Sequence, residues 1–376
     1  MRNPIARIVL IFLIIPILSY SQDSGASMRT SFIFQKWDIE KVDDSITEGT
    51  FPIEVNYPIR ENINLQLNHF PALSKFGKNE LAGLSDTWLR ANYSFADDRA
   101  LASFGIGIPT GKTELDSSEI VLARLLSEQS FKFQLPVYGQ GLTVSGGVMY
   151  AMPVSEKITI GAGLNFVLRN AYKFSTMNSV EYNPGEQFGI NVGFDYVIME
   201  NLTSNVDIVY NYYTSDKMKD EEIFTSGPRI SSKIGLMYQQ RSSYYWIRAA
   251  YQAKAKNEFY IYTLNNKLEQ KQKIPNITIR ELHIGSKFQF TEKLLFSVVG
   301  EVRSYVGYKK DRGWADLYGG GVVGEYYLME TFSLFSGLKF FFGDGEFSGI
   351  TPDADFGGIT PKVQGLELQI GSQWNF

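Results

Sequence analysis

The chain has 376 residues, 36 Lys plus Arg against 40 Asp plus Glu, a formal charge of −4, no Cys, and high aromatic (14%) and Gly (34) content. The missing Cys excludes a disulfide scaffold, a thiolate zinc site and a cysteine nucleophile, and the slightly acidic balance argues against a basic nucleic-acid face. A mean hydropathy of −0.14 suggests a soluble protein but leaves the aromatic and Gly excess without a role.

In chain order, residues 1–21 read as a secretory leader. Arg2 and Arg7 precede an apolar run from Ile8 to Leu18, broken by Pro16, and Ser19 to Ser21 supply a small-residue cleavage zone that lacks Ala-x-Ala. The run falls short of the ~18 apolar residues a spanning helix needs, and no later segment reaches that length. Residues 22–376 then form either a secreted soluble protein or a single outer-membrane β-barrel.

Periodicity separates the two. The first candidate strand, Arg29 to Asp38, has the poorest phase. Further on, Ile158, Ile160, Ala162, Leu164, Phe166 and Leu168 alternate with polar residues or Gly, as do Phe188, Ile190, Val192, Phe194, Tyr196 and Ile198. Leu294, Phe296, Val298 and Val302 oppose Ser297, Glu301 and Arg303. Phe332, Leu334, Leu338, Phe340 and Phe342 oppose Ser333, Gly337 and Lys339, although Phe335 and Phe341 share the polar parity. At the end, Leu366, Leu368, Ile370, Trp374 and Phe376 oppose Gly365, Glu367, Gln369, Gly371 and Gln373. Alternate side chains of a strand point to opposite faces, so one face is apolar and the other polar.

A soluble sandwich also alternates. Here the periodic segments exceed the ~5–6 residues of soluble strands and match the ~9–11 that cross a bilayer at a tilt. Aromatics cluster at segment ends (Tyr57, Tyr93, Tyr196, Tyr210, Tyr238, Phe290), where interfacial girdles sit. The terminal strand with Trp374 and Phe376 resembles the assembly signal of bacterial outer-membrane barrels, so outer-membrane lipid and the barrel assembly machinery are the expected partners. Six segments share an aromatic, a short polar pair and an apolar restart, at residues 56–63, 92–98, 150–158, 195–202, 287–294 and 325–332, with a degenerate seventh at 239–244. Seven short turns predict an all-β, transmembrane antiparallel β-barrel, an up-and-down meander of about sixteen strands, or fourteen if the first segment lies outside the wall.

The inward parity carries Arg169, Asp195, Asp207, Lys233, Arg248, Glu281, His283, Lys287, Glu301, Arg303, Glu325, Lys339 and Glu367. Both signs occur, so these charges either brace the wall or line a path. The inward Gly residues leave room or let the wall coil tightly. The longest connection, Thr110 to Gly141, opens on Asp116-Ser-Ser-Glu119, a capping-box pattern that predicts a short helix over Ile120 to Gln129. Phe131, Phe133 and Leu135 follow at period two, and such apolar residues in a loop point into the barrel mouth. A second loop, Gly343 to Pro361, holds the near repeat Phe347 to Pro352 and Phe356 to Pro361 among four acids, with a spacing that matches no Ca²⁺ loop. No metal or cofactor site is expected.

Ser85 to Phe95, Gly105 to Lys112, Gly139 to Val144 and Ala151 to Gly163 resemble the outer-membrane family linked to phenol degradation (the MetA-pathway type), which is similar to the long-chain fatty acid and aromatic hydrocarbon transporter barrels. The resemblance spans Ser85 to Lys173 and rests best on Pro109-Thr-Gly111 and Gly139-Gln-Gly141. It implies passage or binding of small hydrophobic molecules and supplies no catalytic residues. Few residues precede the first strand, so a hatch domain of the fatty acid type is not expected and the loop at 110–141 would gate instead.

The expectation is a non-enzymatic transporter or channel for small hydrophobic or aromatic solutes, with Phe131, Phe133, Leu135, Trp88 and Arg90 as the ligand site. The alternatives are a structural or surface-interaction barrel and an outer-membrane lipid hydrolase, for which His69 and His283 are the only histidine bases.

Overall fold

The computed structural model describes residues 25–176, 180–262, 268–274, 276, 278–306, 314–347 and 361–376. The leader, and the second loop from 348 to 360 with Asp353 and Asp355, lie outside the described residues.

The wall begins with β1 (Ser27–Ile39). It returns through β2 (Ile46–Thr50) and β3 (Ile53–Arg60), one strand bent at Phe51 and Pro52. β4 (Ile63–His69) runs on as β5 (Pro71–Phe76), and β6 (Asn79–Leu84) runs on as β7 (Thr87–Phe95). β8 (Ala100–Ile108) leads to α1 (Ser117–Leu126), the helix of the described residues. The wall resumes with β9 (Thr143–Ser155) and β10 (Ile158–Arg169). After β11 (Tyr182–Asn183) come β12 (Gln187–Met199) and β13 (Leu202–Tyr213). β14 (Ser215–Met218) and β15 (Glu221–Thr225) precede β16 (Arg229–Gln240) and β17 (Ser243–Lys254). β18 (Asn257–Tyr262) and β19 (Leu268–Ile274) precede β20 (Thr278–Gln289) and β21 (Leu294–Val306). β22 (Ala315–Met329), β23 (Phe332–Gly345) and β24 (Lys362–Asn375) complete the wall.

Nineteen segments share one sheet, and three of the breaks between them are bends within a strand, which leaves sixteen strands in a closed antiparallel barrel. Closure is the pairing of β1 with β24, from Ser27 opposite Asn375 to Ile39 opposite Val363. The first segment is therefore a full wall strand, and the fourteen-strand alternative falls. Its phase is poor for a physical reason: Ile33, Trp37 and Ile39 are buried on its inner face, while Phe32 is exposed outside.

All seven short turns lie at the end where the wall begins and ends, joining β3–β4, β7–β8, β9–β10, β12–β13, β16–β17, β20–β21 and β22–β23. Residues with positive φ shape two of them, Ala96 to Asp98 and Arg241. Short turns with both termini mark the periplasmic end, and the opposite end carries the longer connections. β11, β14, β15, β18 and β19 form a second, five-stranded sheet in those connections. Outward positions such as Phe104, Leu164, Ile190, Ile234 and Phe340 are exposed and apolar, as a lipid-facing wall requires. The chain is thus a transmembrane barrel of the bacterial outer membrane.

The inward glycines do not enlarge the lumen. Trp37 stands directly opposite Gly365, Trp88 opposite Gly107, Trp246 opposite Gly285, Phe341 opposite Gly319 and Phe335 opposite Gly371. In four of the pairs the ring comes within 2.6 Å of where a Cβ on the glycine would stand, and at Gly107 the Trp88 ring stands 3.2 Å from that position. The wall thus places large rings inside a barrel by giving each a partner without a side chain. Arg303 caps the Phe341 ring at 4.6 Å and Arg29 caps the Phe335 ring at 4.4 Å.

Candidate functional site: an inserted loop and the lumen it closes

The connection from β8 to β9 folds into the barrel. Its helix α1 starts at Ser117 rather than Ile120, because the Asp116 carboxylate accepts from the N–H groups of Ser118 (2.8 Å) and Glu119 (2.9 Å). The Asp116 N–H donates back to the Glu119 carboxylate (3.1 Å), completing the capping box. Leu122, Leu125 and Leu126 form one buried face at helical spacing, and α1 lies against β6. The helix ends at Leu126, three residues before the expected end. Beyond it, the half-buried Glu128 loses hydration, which pushes its carboxyl above the ordinary range against the hydrogen bond from Ser130.

The segment from Ser130 to Leu135 then crosses the inside of the barrel. It pairs with no strand, turning at Ser130 and Phe131 and passing through a left-handed Lys132 (φ 52°), so the period of two in its sequence does not mark a ladder. Side chains of the wall satisfy its backbone. Gln35 donates to the Lys132 carbonyl (3.2 Å) and accepts from the Gln134 N–H (3.0 Å). Glu48 accepts from the Leu135 N–H (3.0 Å). From the far side, Arg303 donates to the Ser130 carbonyl (3.1 Å) and Tyr305 to the Gln129 carbonyl (2.9 Å). Lys132 reaches Glu281 (2.7 Å) and Glu301 (3.4 Å). Each neutral bond contributes about 1 kcal/mol, and those to charged groups about 1.5–3.

Phe131, Phe133 and Leu135 are 0%, 5% and 6% exposed. They join Trp37, Ile39, Ile46, Leu81, Ile279, Tyr305, Leu317, Phe341, Phe347 and Val363 in one apolar cluster. The rings of Phe131 and Trp37 are 5.1 Å apart, and those of Phe131 and Phe347 are 4.7 Å apart. The cluster draws on the adjacent strands β1, β2, β5, β6 and β20 to β24, so it packs the loop against one half of the lumen wall. Trp88 and Arg90 do not belong to it. They stand on the inner face of β7, against Gly107 and Gly105, so the five-residue grouping expected from the sequence is divided. Sequence reasoning missed the apolar patch of the wall, whose signal was the parity of Ile33, Trp37, Ile39 and Phe341. It also missed Gln35, Glu48 and Ser74, polar inward residues that carry no pattern of their own.

The charged inward residues stand on the parity opposite the exposed apolar ones. Lys287 pairs with Glu325 (3.5 Å), Lys339 with Glu367 (2.8 Å), and Arg303 with Glu301. His283 Nε2 lies 3.3 Å from Glu281. Arg169 donates to the Gly185 carbonyl (2.9 Å), and Asp207 accepts from Asn205 (3.3 Å). Asp195, Lys233 and Arg248 occupy the same face on β12, β16 and β17. A cavity of about 490 Å³ opens beside Asn205, Lys233, Trp246, Arg248, Glu281 and His283. His69 Nδ1 pairs with Thr87 Oγ1 (2.9 Å), which pairs with Thr110 Oγ1 (2.8 Å), a chain of uncharged partners with no carboxylate to orient the ring.

Fold and site together define an outer-membrane barrel whose lumen is crossed by a loop of its own chain. No family model matches the sequence, and no curated protein matches it. Among solved structures it is similar to OpdQ of Pseudomonas aeruginosa, with 8% identity, 95% of this chain and 100% of that chain covered, and a TM-score of 0.47. It is similar to CdiB from Acinetobacter baumannii, with 11% identity, 92% and 60% covered, and a TM-score of 0.49. It is also similar to a TodX mutant described as a monoaromatic hydrocarbon channel, with 10% identity, 96% and 92% covered, and a TM-score of 0.47. Likenesses this distant carry no argument about what passes through this chain.

Proposed function

We propose that this chain is a gated outer-membrane channel for small solutes of hydrophobic or aromatic character, with the loop between β8 and β9 as the gate. The carrying observation is the apolar patch of the wall against which the inserted segment packs. Withdrawal of Phe131 and Phe133 uncovers Trp37, Tyr305, Leu317 and Phe341, apolar side chains of neighbouring strands on one side of a lumen that is otherwise polar. Such a surface favours solutes with an apolar face, because it offers no hydrogen bonds to replace the water that face sheds. The hold on the loop is divided between side-chain hydrogen bonds, ion pairs and apolar burial, none of which is covalent, so a reversible opening is open to it.

The absence of Cys gives a clean test. Gln35→Cys with Gln134→Cys puts one thiol on the wall and one on the loop, at residues that now meet through the Gln134 backbone N–H and the Gln35 side chain. Oxidation ties the loop down and abolishes uptake of small aromatic solutes into proteoliposomes, and a reductant restores it. Equal uptake in the tied and reduced states would sink the gating role.

A further inference from the structure

The lumen wall has two electrostatic halves. On β20 to β24 every named acid has its cation: Glu281 and Glu301 share Lys132 and Arg303, Glu325 has Lys287, and Glu367 has Lys339. That half is neutral and braced. On β16 and β17 the inward positions Arg229, Lys233, Arg248 and Lys254 are different. Among the described residues none of them forms an ion pair within 4.0 Å. Arg229 stands directly opposite Lys254 in the register, an arrangement that is destabilising between like charges. The Arg229 Nε is buried and has no hydrogen-bond partner. The acids on this side are Asp195 and Asp207 on the neighbouring strands, Glu281 on β20, which is held by Lys132, and Asp216 of β14, whose charge acts on Lys254 from beyond ion-pair distance; Asp207, although opposite Lys233 in the register, also stays beyond that distance.

The cations are arranged in depth. Arg229 and Lys254 sit at the outer ends of their strands. Lys233 is four residues further in along β16, roughly 13 Å at strand rise. There Lys233 and Arg248 line the 490 Å³ cavity together with the Trp246 ring, Asn205, His283 and Glu281, the last of which is already paired with Lys132. A wall that tolerates opposed cations and leaves one guanidinium nitrogen unmatched is arranged for an anion supplied from outside the chain.

We propose that the solute is a small aromatic carboxylate, passed from the Arg229–Lys254 pair at the mouth to Lys233 and Arg248, where Trp246 receives the ring. This rests on the channel reading and names its substrate class. The indole beside two unpaired cations favours a carboxylate carried on a ring over inorganic phosphate, which offers the ring nothing.

The test uses the full-length barrel in proteoliposomes and three probes of one size: 4-hydroxybenzoate, its neutral amide, and trimethylphenylammonium. Flux into protein-free liposomes is subtracted. The carboxylate enters about tenfold faster than the amide or the cation, the range expected for a charged cleft. In the Lys233→Gln, Arg248→Gln double variant the carboxylate-to-amide ratio falls to about one, and Lys233→Arg keeps the wild-type ratio. Heat-modified electrophoretic mobility reports that each variant is a closed barrel. A ratio of one in the unaltered protein, or a ratio preserved in the double variant, overturns the proposal while leaving the channel standing. Entry of none of the three probes overturns the channel reading and this proposal together.

Discussion

Single residues decide where bulk can enter the lumen. Trp246 lies across Gly285, and a methyl group there would overlap the indole. Gly324, two strands away on the outer face, has no atom within 4 Å of its would-be Cβ. Gly285→Ala is therefore expected to destabilise the barrel by about 1–3 kcal/mol, the usual cost of overpacking. Gly324→Ala should stay within about 0.5 kcal/mol. Midpoints of guanidinium unfolding, followed by the loss of heat-modified mobility, compare the two. A Gly285→Ala midpoint equal to that of Gly324→Ala would contradict the pairing of rings with glycines. From sequence Gly285 falls on the inner face by parity, but its purpose was not legible. It depends on which residue sits across the ladder, and register is a property of pairing rather than of one strand.

At the scale of elements, α1 was legible because its signal is local. The capping box spans four residues and predicts a helix from Ile120; the helix begins three residues earlier, at Ser117, because the Asp116 carboxylate caps its first turn. The cap itself gives a pH prediction. The Ser118 hydroxyl and the Glu119 N–H hold the Asp116 carboxyl below the ordinary carboxylate range. A depressed value means that the ionised form stabilises the helix above the unfolded value near 3.9, and that this support is lost as pH falls through the folded value. Asp116→Ala should remove the same support at neutral pH. Limited proteolysis between 112 and 130, measured as cleavage rate, should rise in Asp116→Ala at pH 7. The gap to the unaltered chain should close as the solution is acidified below that range. The segment from Ser130 to Leu135 was legible as apolar and inward but not as a crossing strap. Its partners Gln35, Glu48 and Arg303 lie far away in the chain and announce nothing.

At the scale of the whole molecule, the pairing of β1 with β24 closes the sheet. The Phe376 N–H donates to the Ala26 carbonyl (2.7 Å), and Trp374 packs on Phe332 with ring centroids 4.0 Å apart. The terminal pair Trp374 and Phe376 is also proposed as the mark by which assembly machinery takes the chain. Removing Phe376 is expected to lower the fraction of chain that becomes a heat-modifiable barrel in cells, while refolding from denaturant into detergent changes little. Equal losses in both settings would assign Phe376 to barrel stability alone.

By itself the sequence determined the barrel and its meander and narrowed the strand count to sixteen or fourteen, because a period of two and a repeated turn are written in neighbouring residues. It also determined the lipid face, since a membrane admits only apolar side chains there. The soluble-looking hydropathy of −0.14 was misleading because it averages that face with a polar interior. Only the tertiary structure decided what the interior does. The seat of Phe131 in the apolar patch, the five ring-on-glycine pairs, and the split between a paired and an unpaired half of the lumen all join residues distant in the chain. Their contacts arise when the sheet closes and brings its two ends against one loop, and no local pattern encodes which residues then meet.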